Sequence, residues 1–130
     1  MPLGSSILVI EDNKDNMELI AYLLRAHGYA PRLAHSGVEG VRLALEDPPE
    51  LILLDIRMPD MDGYEVAAAL VGLHDTYIVA VTASAMVEDR ARIVEAGIQG
   101  YMQKPIDVET FVEQLERFLT EAAGSTGRPV

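Results

Sequence analysis

The stretch LILLDIRMPDMDG at residues 51–63 constrains the fold of this chain more than any other feature. It opens with four aliphatic residues, and so short and uniform an apolar run is typical of a strand buried on both faces of a parallel sheet. The run ends at the carboxylate of Asp55 and leads into residues that favour turns. Because ligands of open α/β sheets bind beyond the carboxyl ends of the strands, Asp55 lies where a site is expected.

Four further segments read as strands, at residues 7–10, 30–34, 77–81 and 100–102, and helices are predicted between them. Side chains suited to cap helices precede the five helical segments: Asn13, Ser36, Asp62, Ser84 and Asp107. Helical spacing predicts the apolar faces, namely Val38, Val41, Leu45 and nearby alanines in the second helix, Val87, Ala91 and Val94 in the fourth, and Val108, Phe111, Val112, Leu115 and Leu119 in the last.

Alternating strands and helices predict βαβ units with right-handed crossovers. The expected fold is α/β, a flavodoxin-like doubly wound parallel sheet of five strands in the order 2-1-3-4-5 with five helices. In that order the first and third strands are neighbours, with the topological switch point between them. Glu11 and Asp12, which follow the first strand, would then share a shallow pocket with Asp55.

Three carboxylates in one pocket repel each other, so a cation is expected to compensate them. The candidates are a hard divalent metal, which prefers oxygen ligands, and Lys104 after the fifth strand. Thr82, after the fourth strand, adds a hydroxyl, and the set resembles a phosphoryl-binding arrangement in which an aspartate is the nucleophile. Taken singly, each of these residues has an ordinary alternative as a helix cap, an N-terminal acid or a solvated charge.

Composition limits the function classes. The 130 residues suit one domain, with 1–5 expected as a flexible lead, 6–123 as the folded domain and 124–130 as a flexible tail. The formal net charge of −11 argues against direct nucleic-acid binding. No membrane span or secretory signal is evident and cysteine is absent, so a cytoplasmic protein is expected without disulfides or zinc–thiolate sites.

Four motifs together resemble the response-regulator receiver domain of two-component signalling. They are ILVIEDN, LILLDIRMPDMDG, AVTASA and YMQKP, in the order and spacing of that family, and the resemblance covers about residues 6–119. It implies that Asp55 is the phosphoacceptor and that Mg²⁺ is bound by Asp12, Asp55 and the backbone carbonyl of Arg57, with Glu11 assisting. It also implies that Thr82 and Lys104 contact the phosphoryl oxygens and that the Lys104–Pro105 peptide is cis.

The resemblance further implies a signalling role. A histidine kinase or histidine phosphotransfer protein would donate the phosphoryl group, and Tyr101 would be the aromatic switch residue that responds through Thr82. A downstream protein partner, or a phosphorylation-dependent homodimer, is expected to use the face of the fourth helix, fifth strand and last helix.

Two other functions compete with this interpretation. A phosphatase of the haloacid-dehalogenase type would need a second acid two residues after the nucleophile, where this chain has Arg57. A docking module that never accepts phosphate would have no need of the acids, Thr82 and Lys104 together.

Overall fold

The computed structural model describes residues 6–83 and 86–125, which form a five-stranded parallel sheet in the predicted order β2-β1-β3-β4-β5. The strands are β1 (Ile7–Ile10), β2 (Arg32–Ala34), β3 (Leu51–Asp55), β4 (Tyr77–Thr82) and β5 (Gly100–Gln103). The helices are α1 (Lys14–Ala26), α2 (Gly37–Glu46), α3 (Gly63–Ala69), α4 (Val87–Glu95) and α5 (Phe111–Ser125). In the described part of the chain, no helix has the length and apolar character needed to cross a membrane.

Each face of the sheet carries its own hydrophobic cluster, because successive residues of a strand point to opposite faces. In β1, Ile7 and Val9 pack in the cluster formed with α1 and α5, whereas Leu8 and Ile10 pack in the cluster formed with α2, α3 and α4. Every residue of β1 and β3 is buried, which explains why both sequences are uniformly apolar up to their acidic ends. Each buried Leu or Ile stabilises the fold by about 1.5–3 kcal/mol relative to an exposed one.

Several predicted helix ends are confirmed. The Asn13 side chain accepts a hydrogen bond from the N–H of Asn16 at 2.9 Å, and Asp62 and Glu65 form a complete capping box. Ser36 accepts the N–H of Glu39 at 3.1 Å, but the Glu39 carboxylate binds the N–H of His35 rather than that of Ser36. The cap at Ser36 is therefore present, but the reciprocal bond of Glu39 is displaced by one residue.

The predicted apolar face of α2 is only partly correct: Val41 packs against the core and the nearby Ala44 is buried, but the two other large residues are not. Val38 and Leu45 are 64% and 54% exposed, while Gly40 and Ala44 are buried toward the sheet and Gly37 is buried against Met61 and Val66. A β-carbon at Gly40 would lie 2.5 Å from Cδ1 of Ile10, so the helix lies too close to β1 for larger side chains. Close approach of the backbone, rather than insertion of large residues, fixes the orientation of α2.

The other helices differ from prediction mainly at their ends. In α4, Ala91 and Val94 are exposed and Ile93 is the core residue; the predicted cap Ser84 and the side chain of Val87 lie outside the described part of the chain. The last helix does not begin directly after Asp107: a turn comes first, and Val108 in that turn is exposed. Helix α3 ends at Ala69, and α5 continues to Ser125.

Candidate functional site

Three carboxylates meet at the carboxyl edge of the sheet. The backbone pairing of β1 with β3 aligns Ile10 with Leu54, so the acids that follow these residues lie side by side. One carboxylate oxygen from each of Glu11, Asp12 and Asp55 lies within 4.8 Å of the others. Glu11 and Asp55 are buried and Asp12 is exposed at the mouth of the pocket. The structure thus brings together the acids that the sequence placed at neighbouring strand ends.

Lys104 enters the same pocket from the end of β5. Its Nζ lies 3.1 Å from Oδ1 of Asp55 and 3.3 Å from Oε1 of Glu11. The N–H of Lys104 donates to the carbonyl of Thr82 at 2.7 Å, and the Lys104–Pro105 peptide is cis, as expected. The N–H of Arg57 donates to Oδ1 of Asp55 at 3.2 Å, so two donors orient this carboxylate.

The acid pocket shifts the protonation of its groups. Burial, reinforced by Asp55, raises the pKa of Glu11 from 4.5 to about 7, and burial and Asp55 also raise the pKa of Asp12. Burial alone would lower the pKa of Lys104, but the charges of Asp55 and Glu11 outweigh burial and raise it. One ammonium group therefore cannot balance three carboxylates, and the cluster retains an excess of negative charge.

The residues present fit a hard divalent cation. Oε1 of Glu11 is buried and, within the described chain, accepts no hydrogen bond, although it lies at ion-pair distance from Lys104. All three side chains that converge there offer oxygen, the ligand that Mg²⁺ and Ca²⁺ prefer. A cation at this point would satisfy the buried oxygen and relieve the repulsion among the acids.

A second group of residues lies beside the acids. Thr82 ends β4 and is buried, and it lines a polar cavity of about 450 Å³ that also includes Arg57 and extends to Asp89 and Arg92 of α4. Tyr101 is half-buried on β5, where it pairs with Ala80, two residues before Thr82 on the same face of β4. Its ring packs against the cluster that contains α3 and α4.

The sequence reasoning missed Asp60, which joins the loop after β3 to α2. Its carboxylate accepts the N–H groups of Gly37 and Val38 at 3.2 and 3.0 Å. The hydrogen bond from Val38 contributes most to the lowered pKa of Asp60. An acid in the loop that follows Asp55 was visible in the sequence, but its partners are distant along the chain, so no local spacing could have revealed them.

Comparison with known proteins gives consistent results. A family model described as the response regulator receiver domain matches residues 7–116. The chain is 40% identical over 123 residues to the polar-differentiation response regulator DivK of Brucella ovis, covering 92% of this chain and 100% of that protein. DivK of Brucella anthropi is 39% identical, with the same coverage of both chains.

Solved structures show the same fold. The receiver domain of the sensor histidine kinase PA1611 from Pseudomonas aeruginosa, which has a magnesium ion coordinated in its active site cleft, matches with a TM-score of 0.81 and 32% identity. That match covers 90% of this chain and 98% of the other. The chemotaxis protein CheY4 of Vibrio cholerae matches with a TM-score of 0.82 and 25% identity, covering 88% and 98% of the two chains.

Proposed function

Because the chain belongs to the response regulator receiver domain family, we propose that Asp55 accepts a phosphoryl group from a phosphohistidine. The donor is a partner histidine kinase or histidine phosphotransfer protein. A carboxylate oxygen of Asp55 attacks the phosphorus, the P–N bond to the donor imidazole breaks, and an acyl phosphate forms while the imidazole leaves and takes a proton. The observation that carries this proposal is the position of Asp55, buried at the end of β3 and held by Lys104 and the N–H of Arg57.

The chain contributes charge and position to this transfer. We assign the carboxylates of Glu11, Asp12 and Asp55, with the carbonyl of Arg57, to Mg²⁺, which when bound neutralises charge on the phosphoryl oxygens. The Lys104 ammonium already contacts Asp55 and is placed to pair with a phosphoryl oxygen. The carboxylates and the Lys104 ammonium already lie together before the reaction, so little reorganisation is needed when charge develops.

The proposed output starts at Thr82. Its hydroxyl turns to hydrogen-bond a phosphoryl oxygen, and the Tyr101 ring moves into the space that the hydroxyl vacates. The affected surface, formed by α4, β5 and α5, then binds a downstream protein or a second copy of the chain. Two exposed apolar side chains support a docking role for α4: Met86, just before the helix, is 62% exposed, and Val94, within it, is 73% exposed. The domain limits at 6 and 123 and the cytoplasmic location stay predictions.

The competing functions have less support. The side chain of Arg57 is exposed and only its backbone N–H contacts Asp55, so the second acid of an aspartyl phosphatase has no equivalent two residues after Asp55. A pure docking module would gain nothing from a buried cluster whose acids repel each other.

Incubation with acetyl phosphate and Mg²⁺ tests the proposal directly. We expect intact-mass spectrometry to show the gain of one phosphoryl group on the full chain and no gain on Asp55→Asn. Asp75→Asn, an exposed aspartate before β4, is the matched control and should label like the unaltered protein. Equal labelling of Asp55→Asn, or none on the unaltered chain, would refute the assignment.

A further inference from the structure

A groove of about 540 Å³ runs between α1 and the edge strand β2, at the opposite edge of the sheet from β5. Met17, Ala21 and Leu33 give it an apolar floor, and Tyr22 stands at its rim with 68% of its surface exposed. The α1 residues that line it are spaced as one side of a helix: 14, 17, 18, 21, 22, 25 and 26. Met17 and Ala21 are buried at the base of the groove, and α1 exposes Lys14, Glu18, Tyr22 and Arg25 along it.

The rim of this groove is cationic, unlike the chain as a whole. Lys14 and Arg25 lie at its two ends and Glu18 is the one acid among its lining residues, so with His35 neutral the lining carries a net charge of +1. The whole chain carries a net charge of −11. A concentration of basic groups around an apolar floor in so acidic a chain favours a partner that is apolar with acidic flanks.

An added β-strand does not suit this edge. The hydrogen bond from the N–H of Glu11 to the carbonyl of Ala34 shows that Ala34 directs its backbone groups to β1, so those of Leu33 point outward. The residues on either side of Leu33 offer no free backbone donor. Pro31 has no N–H, and the N–H of His35 donates to the Glu39 carboxylate at 2.7 Å. One residue offers too few hydrogen bonds to hold a strand.

A second copy of the chain is also disfavoured. Two α1 helices packed antiparallel through this flank would set Lys14 of one copy against Arg25 of the other, and parallel packing would set each of these residues against itself. Both arrangements place like charges together between two chains that are each strongly acidic.

We propose that this groove binds an amphipathic helix of a partner protein, with an apolar stripe on one face and acidic residues at both ends. The groove follows α1 from Lys14 to Arg25, about 16 Å or three helical turns. Leu or Met side chains of the partner would fill the space over Ala21 and Leu33, and its carboxylates would pair with Lys14 and Arg25. The surface is distinct from the α4, β5 and α5 face proposed for output.

The test uses the full chain, labelled with nitrogen-15, and two synthetic helical peptides of about three turns. Both peptides have leucines along one face; one has glutamates at both ends and the other has lysines there. We expect the acidic peptide to shift the amide signals of α1 and β2 but not those of α4 and β5. The basic peptide should bind about tenfold more weakly, given two exposed charge pairs.

Variants locate the interaction. Tyr22→Glu and Arg25→Glu alter exposed residues and should weaken binding of the acidic peptide without unfolding the chain. Val71→Glu, at a site that is 77% exposed outside the groove, and Arg117→Glu, on α5, are the matched controls and should bind like the unaltered protein. Three outcomes would each overturn the proposal. Both peptides bind equally well, the amide signals that shift lie on another surface, or the chain sediments as a dimer that Tyr22→Glu dissociates.

Discussion

The amino and carboxyl edges of the sheet, where the strands begin and end, pair their polar groups in opposite ways. At the amino edge, where the strands begin, the Thr76 hydroxyl donates to the carbonyl of Pro49 at 2.7 Å, and the N–H of Glu50 donates to the Ser6 hydroxyl at 2.9 Å. Tyr77 reaches from the start of β4 to Glu121 of α5 at 2.6 Å. Each of these contacts joins a hydroxyl to a single partner, and none gathers like charges.

At the carboxyl edge the pairing is incomplete. Glu11 and Asp55 share the ammonium of Lys104, Asp12 lies beside both acids, and a buried oxygen of Glu11 accepts no hydrogen bond from the residues described. The same sheet thus has one edge whose polar groups are satisfied within the chain and one whose groups require something from outside it. Buried polar groups without a full set of partners are characteristic of sites where an ion or ligand binds.

The largest expected effect comes from removing a charge at the carboxyl edge. Asp12→Ala should weaken Mg²⁺ binding and phosphorylation together by more than about tenfold, since even the outer partners of metal ligands contribute that much. Mg²⁺ titration followed by the rate of labelling from acetyl phosphate measures both. In the absence of metal the same variant should melt at a higher temperature, because repulsion within the pocket is reduced.

Asp75→Asn, at the amino edge, is the matched control for Asp12→Ala and should change neither quantity. Undiminished phosphorylation in excess chelator would show that the acid cluster does not act through a metal. A lower melting temperature for metal-free Asp12→Ala would show that the cluster is better balanced than its geometry indicates.

The pH dependence of stability should also separate the edges. The pKa of Glu11 is raised from 4.5 to about 7, so the folded chain binds more protons than the unfolded chain between these values. The free energy of unfolding of the metal-free protein should therefore fall as pH rises from 4.5 to 7, with Glu11 contributing on the order of 2 kcal/mol. Urea unfolding at a series of pH values measures this slope.

Glu11→Gln should flatten that slope, whereas Glu50→Gln at the amino edge should leave it unchanged. Saturating Mg²⁺ should flatten it as well, because a bound cation stabilises the ionised carboxylates. If Glu11→Gln keeps the full slope, other acids of this chain cause the pH dependence.

The difference between the edges explains which features the sequence could predict. Uniform apolar runs ending at Glu11 and Asp55 marked the buried strands and the acids beyond them, because strand ends and ligand sites coincide in this class of sheet. The helix faces were harder, since large residues were expected to face the core. In α2 the core positions are Gly40 and Ala44, and only the distance between the helix and Ile10 shows why.

The role of Asp60 and the hydroxyl pairs of the amino edge were not predicted either. Thr76 and Pro49 are 27 residues apart and Tyr77 and Glu121 are 44 apart, so no local pattern connects them. Their partners are fixed by the packing of whole elements, which sequence spacing does not record.

A medium effect is expected from Thr76→Val, which keeps the shape of a buried side chain and removes its hydroxyl. The carbonyl of Pro49 would lose its donor in a buried position, so the free energy of unfolding should fall by about 1–2 kcal/mol. Phosphorylation by acetyl phosphate should not change. Thr120→Val, which removes an exposed hydroxyl on α5, is the control and should cost less; an equal loss would mean that the valine itself, rather than the lost hydrogen bond, destabilises the chain.

The smallest effect should follow from Tyr77→Phe. The Tyr77 ring is buried beside Phe118, with ring centroids 6.2 Å apart, and the variant keeps that packing while losing the hydrogen bond to Glu121. Burial and Glu121 raise the pKa of the Tyr77 hydroxyl, so it is a neutral donor at every pH used here. Glu121 lies on the exposed side of α5 and can bind water instead, which limits the loss in unfolding free energy to about 0.5–1 kcal/mol.

Urea unfolding should show this loss with the same value at pH 5 and pH 7, in contrast to the slope that Glu11 imposes. A loss that grows across this range would tie Tyr77 to the titration of the carboxyl edge, and the two edges could no longer be treated as independent.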